Sequence, residues 1–255
     1  MNAAQGAGAP SPQVSNTGQG RPFTLGLLAI IACSLFLHAA EPAKVRVVLV
    51  GDSTVASKSG WGDAFGKLLG DRAEWFNEAR GGQSSKSFRD QGLWKKALAH
   101  QPTWVLIQFG HNDQPGKGPA RETDPATTYS ENLGRFIDEA RASGAKPVLV
   151  TSLTRRSHKD GKLVETGLTP YVEAARKVAA AKTVPLADLH ARSIQQLEKL
   201  TPAELAELEP AHPKIAGEKD HTHLTVRGGE MVAPLVVEEL RKVAPELAAL
   251  CSSAK

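Results

Sequence analysis

Val45-Arg46-Val47-Val48-Leu49-Val50-Gly51-Asp52-Ser53-Thr54 is the stretch that decides the fold. A run of mostly β-branched residues ends in Gly-Asp-Ser. The apolar part predicts a strand buried on both faces, as in parallel sheets. Gly51 is expected to break the strand and let the backbone turn. Ser53 then falls just past the carboxyl end of the strand, where open α/β sheets place their ligands. Gly-Asp-Ser is also an ordinary turn sequence. Read as a nucleophile, Ser53 needs a base, a group that orients the base, and donors for an oxyanion.

Outward from this stretch, four more apolar segments predict strands, at 74–77, 103–109, 146–153 and 184–189. Between and after them, amphipathic patterning predicts helices at 63–69, 93–99, 126–143, 170–182, 191–200, 202–208 and 227–243. Residues 79–85 read as a tight loop, and 154–168 as a charged loop. Strands and helices alternate, so the expected architecture is α/β, a parallel five-stranded sheet with helices on both faces. No internal repeat or second boundary breaks residues 41–255, which read as a single domain.

Residues 1–40 read differently. Positions 1–21 are rich in Gly, Ser, Pro, Gln and Ala and carry nothing to bury. Phe23–Leu37 is apolar, follows Arg21 and ends in small residues, the pattern of a secretory signal. Export is therefore expected, with an uncleaved anchor as the alternative. Cys33 and Cys251 make no internal disulfide framework and no zinc-type spacing. The net charge of +4 over 255 residues is too small to indicate a nucleic-acid partner. It is compatible with a polyanionic substrate. No cofactor is expected, and the chain is expected to be a monomer.

Three further segments carry suitable chemistry. Gly82 lies in the loop after the second strand, and Asn112 follows the third. Asp220 and His223 are three residues apart, just before the last helix. His223 has the chemistry of a base for Ser53, and Asp220 that of its orienting carboxylate. The N–H groups of Ser53 and Gly82 and the side-chain amide of Asn112 are suitable oxyanion donors. Asp220, His221, His223 and His111 also allow a metal site to be drawn, but that leaves Ser53 and the donors unexplained. His111 reads as satisfying a buried backbone group, His221 as pointing away, and Asp113 as a loop or cap residue.

These residues resemble the SGNH (GDSL-type) hydrolases over roughly residues 44–245. Gly51-Asp52-Ser53, Asn77 with Gly82, Gln108–Asp113 and Asp220–His223 look like that family's four blocks, in order. The resemblance implies a flavodoxin-like three-layer α/β/α sandwich, no metal, and Ser53, Gly82, Asn112 and His223 as the name-giving residues. Gly-Trp-Gly at 60–62, residues 82–88, Thr154-Arg155-Arg156, Pro170-Tyr171 and Asp220–Thr225 look more specifically like the rhamnogalacturonan acetylesterase branch. That branch removes acetyl groups from a pectic polymer. It would have an arginine after the second glycine, where Gln83 stands here. The expected partner is thus an acetylated polysaccharide. Trp61 is a candidate for sugar stacking, and Arg155 and Arg156 for sugar carboxylates. The alternatives are an acetylxylan or general short-chain esterase, a lipase, and an inactive carbohydrate-binding protein. A lipase would need an apolar acyl pocket that no loop supplies.

Overall fold

The computed structural model describes residues 44–252. The expectations for residues 1–40, signal or anchor included, lie outside the described residues. Five strands form one fully parallel sheet: β1 (Arg46–Gly51), β2 (Glu74–Asn77), β3 (Trp104–Gln108), β4 (Lys146–Val150) and β7 (Leu186–Ala187). Their order is β2-β1-β3-β4-β7, the flavodoxin-like order with its switch point between β1 and β3. A separate two-stranded hairpin pairs β5 (His158–Lys159) with β6 (Lys162–Leu163).

The sheet's alternation divides the core in two. Val47, Leu49, Leu106, Val148 and Val150 face α1 (Gly62–Leu69) and α8 (Val226–Val243), meeting Trp61, Phe65, Val232, Val236 and Leu240. Val48, Val50, Val105, Ile107 and Leu149 face the other way. There they pack with α2 (Ser85–Asp90), α3 (Leu93–Ala99), α4 (Thr128–Ala142) and α5 (Thr169–Lys182), through Phe88, Trp94, Phe136 and Ala175. The expected three layers are therefore present. The helices α6 (Leu189–Leu197), α7 (Pro202–Leu208) and α9 (Pro245–Ala248) complete the chain.

Several details differ from the sequence expectation. Gly51 does not break β1; it is the strand's last residue. A Cβ there would lie 2.5 Å from the Gln108 carbonyl oxygen, so glycine permits the close approach of β3. The final strand is two residues rather than six, because the Asp188 side chain already caps α6 by accepting from the Ala191 N–H. The stretch 154–168 is not all loop: Asp160 and Gly161 both take positive φ, the two-residue turn that closes an antiparallel hairpin.

Candidate active site

The turn that presents Ser53 is held from beneath by a buried polar chain. Trp61 Nε1 donates to Gln108 Oε1 (3.0 Å), and Gln108 Nε2 donates to Thr54 Oγ1 (2.6 Å). Thr54 in turn donates from Oγ1 and from its N–H to Asp52 Oδ1 (2.7 and 2.9 Å). Every member is buried, so each bond forms in a medium of low dielectric and leaving one unmade would be costly. Trp61 is fully buried in this chain and offers no face to a sugar, which corrects the stacking expectation.

His223 reaches Ser53 from the other end of the sequence. Its Nε2 lies 2.8 Å from Ser53 Oγ, and its Nδ1 lies 2.6 Å from Asp220 Oδ2. The other Asp220 oxygen accepts the N–H groups of Thr222 (2.8 Å) and His223 (3.0 Å). The loop is tied to the Ser53 turn where Leu224 N–H donates to Ser59 O (2.9 Å) and Ser59 Oγ donates to Ser53 O (2.7 Å). Thr225 then caps α8 by accepting from Gly228 N–H (3.0 Å). His221 faces away, with Nδ1 2.9 Å from Glu209 Oε1.

Burial pulls the Asp220 carboxyl upward, but the His223 ring and the two backbone N–H groups outweigh it and hold the group below its ordinary value. Its ionised form is therefore worth more folded than unfolded. That stability is present above the unfolded value of about 3.9 and is lost as pH falls through the lower folded value. Thermal unfolding of wild type and Asp220→Asn should thus differ most at neutral pH, the gap narrowing below about pH 4. A gap of constant size from neutral to acid pH would contradict this account.

Gly82 and Asn112 border the same turn. A Cβ on Gly81 would lie 3.9 Å from Ser53 Cβ, so the two loops abut. Gly82 has φ +76°, which favours glycine, and leads into α2. Asn112 Nδ2 donates to Gln83 O (3.1 Å), which orients the amide against that loop. Among the described residues, the N–H groups of Ser53 and Gly82 have no protein acceptor. The arrangement thus combines a hydroxyl, an imidazole and a carboxylate in series with donors free for an anion.

Some placements revise the sequence reading. Arg156 is not a surface arginine: it is 1% exposed. Its Nη2 donates to the carbonyl of His223 and, at 3.3 Å, to that of Asp220. Its Nε lies 3.2 Å from Glu209 Oε1. It therefore braces the Asp220–His223 loop and has no surface for a sugar carboxylate. Arg155 is half-buried and donates to Thr166 O (3.0 Å) and Gln114 Oε1 (2.7 Å). His111 satisfies no backbone group. It is buried with Nδ1 3.4 Å from Asp52 Oδ2, and burial lowers its pKa. Asp113 is more than a loop cap. Fully buried, it accepts from Ser85 N–H (3.1 Å), Ser85 Oγ (2.6 Å) and Thr123 Oγ1 (2.9 Å). It thereby ties the Asn112 loop to α2, and burial raises its pKa to about 7.

Comparison with known proteins places these residues in context. Residues 49–229 match the model of the GDSL-like lipase/acylhydrolase family. The chain is 36% identical over 214 residues to rhamnogalacturonan acetylesterase RhgT of Bacillus subtilis (strain 168). That match spans 78% of this chain and 90% of RhgT. The chain is 32% identical to the probable rhamnogalacturonan acetylesterase YesY of the same organism, over 78% of this chain and 93% of YesY. Among solved structures, a catalytic mutant of Axe2, an acetylxylan esterase from Geobacillus stearothermophilus, superposes with a TM-score of 0.59. It is 18% identical, with 78% of this chain and 94% of Axe2 covered, a likeness of fold.

Proposed function

Since the chain belongs to the GDSL-like lipase/acylhydrolase family and is a carboxylic ester hydrolase, we propose that it is a serine acetylesterase that deacetylates rhamnogalacturonan. The observation that carries this reading is the continuous series from Ser53 Oγ through the His223 ring to Asp220, at 2.8 and 2.6 Å. In this mechanism Ser53 Oγ attacks the acetyl carbonyl carbon while His223 Nε2 takes its proton. Asp220 keeps the remaining ring proton on Nδ1 and stabilises the imidazolium. The N–H groups of Ser53 and Gly82 and the Asn112 amide receive the oxyanion. Collapse breaks the bond to the sugar oxygen, which takes the proton from His223 and leaves as the alcohol. Water, deprotonated by the same imidazole, then attacks the acetyl-enzyme and releases acetate and free Ser53.

RhgT, by its name a rhamnogalacturonan acetylesterase, supports the polymer assignment. The apolar run at 23–37 supports an exported enzyme, which would meet such a polymer outside the cell. The test is acetate release from acetylated rhamnogalacturonan, acetylated xylan and a small aryl acetate, with fluorophosphonate labelling mapped by mass spectrometry. Preferential release from rhamnogalacturonan with label on Ser53 is expected. Preference for xylan would overturn the polymer assignment. Label elsewhere, or no label on active protein, would overturn the nucleophile.

A further inference from the structure

Four cations surround the oxyanion side of the site without a carboxylate partner. Among the described residues, no carboxylate oxygen lies within 4.0 Å of the charged nitrogens of Lys86, Lys117, Arg121 or Arg155. Arg121 is the best placed: its Nη1 comes within 3.9 Å of where a Cβ on Gly82 would sit. Its Nε donates to the Lys117 carbonyl (2.7 Å), which ties the Arg121 side chain to the turn that carries Lys117. Lys86 donates to Pro119 O in the same loop (2.7 Å).

Acidic residues are present nearby, and each accepts backbone N–H groups within its own turn. Glu122 accepts from Gly118 N–H (2.6 Å), and Asp124 from the N–H groups of Ala126 and Thr127 (2.9 Å each). Glu165 accepts from Gly167 and Thr169 N–H (2.6 and 3.0 Å). These carboxylates build turns; the Asp52 and Glu165 charges favour the charged form of Arg155 from a distance, and none of the three turn carboxylates pairs directly with a cation of the group. Lys117 registers the result: burial first, then the positive charges of Arg155 and Arg121, lower its pKa. Gathering like charges costs stability unless an anion joins them.

A second observation points to charge as the means of recognition. Sugars are commonly held by stacking on exposed aromatic rings. Among the described residues, the exposed large hydrophobics are Ile215 and Val226, neither of them aromatic; Trp75 and Phe76 are half-buried, and Trp61 is buried.

We propose that Lys117 and Arg121, with Arg155 behind them, form a carboxylate-binding rim beside the oxyanion loop that receives a uronic-acid residue adjoining the acetylated sugar. This rests on the acidic-polysaccharide reading above and adds which residues enforce it. The rim would hold the chain so that an acetyl carbonyl comes to rest between Ser53 and Gly82.

Binding can be read without catalysis. Wild-type protein is titrated calorimetrically with a deacetylated rhamnogalacturonan oligosaccharide, and separately with the same oligosaccharide after its uronic carboxyls are reduced to primary alcohols. Wild type should bind the acidic form about tenfold or more tightly than the reduced form. Arg121→Gln and Lys117→Gln should each weaken the acidic form about fivefold while leaving the reduced form unaffected. Added salt should weaken only the acidic form. Equal affinity of wild type for both forms overturns the rim, as does a proportionate loss of both in the variants. Neither result depends on acetate release, so failure of the rim and failure of the esterase reading are separate outcomes.

Discussion

Ser53→Ala is expected to lower kcat for acetate release by roughly 10⁴- to 10⁶-fold, and adding His223→Ala to it should cost almost nothing more. The expectation follows from geometry. Ser53 Oγ and His223 Nε2 share one proton across 2.8 Å, so either group is useless for this step without the other. Residues that act as a unit give losses that do not add. His223→Ala alone should therefore approach the serine variant. What remains in all three variants comes from oxyanion donors and substrate binding, which are untouched. Single-turnover acetate release by wild type, both single variants and the double variant makes the measurement. Losses that multiply, or a His223→Ala enzyme within tenfold of wild type, would mean that the two side chains do not work together.

Much of this arrangement was legible because its parts obey local rules. β1 and β3 are continuous apolar runs ended by polar residues, so strand type and strand end could both be read. α8 carries a Thr N-cap before its apolar stripe, which placed Asp220 and His223 at a helix entrance. The hairpin was missed although Asp160-Gly161 is a strong turn signal, because its two-residue strands have no apolar alternation to accompany it. α2 was missed because its capping box is Ser84 with Ser87 rather than with Glu or Gln.

The long-range contacts were beyond reach for a different reason. Arg156 was read as a surface cation, since charged residues are rarely buried without a partner, and that partner, Glu209, lies far along the chain with no spacing rule to connect them. Trp61 was read as a candidate for stacking because its partner Gln108, which accepts its indole N–H, lies 47 residues away on β3. Gln108 itself carried a usable signal, a polar side chain closing an otherwise apolar strand. Asp113 carried none, because its partners Ser85 and Thr123 sit on separate segments.

Arg156→Leu should destabilise the fold by about 3–5 kcal/mol, because it leaves the Glu209 carboxylate buried without its guanidinium. For a domain of this size that corresponds to a fall in Tm of roughly 10 °C. Glu209 is 4% exposed, so water cannot readily replace the guanidinium, and among the described residues His221 Nδ1 (2.9 Å) is the one side chain still bonded to it. Two carbonyls, those of Asp220 and His223, lose their shared donor in the same step. The double variant Arg156→Leu with Glu209→Leu separates these effects. Removing both charges should restore much of the stability, since an apolar pair of similar bulk is tolerated where a buried charge without its guanidinium is not, and the half-exposed His221 can turn to water. It should not restore activity, because the loop carrying Asp220 and His223 still lacks the guanidinium that spans its carbonyls. Melting temperature and kcat should therefore part company in the double variant, one rising back toward wild type while the other stays low. If both recover together, the pair serves the fold alone, and the alignment of His223 owes nothing to Arg156.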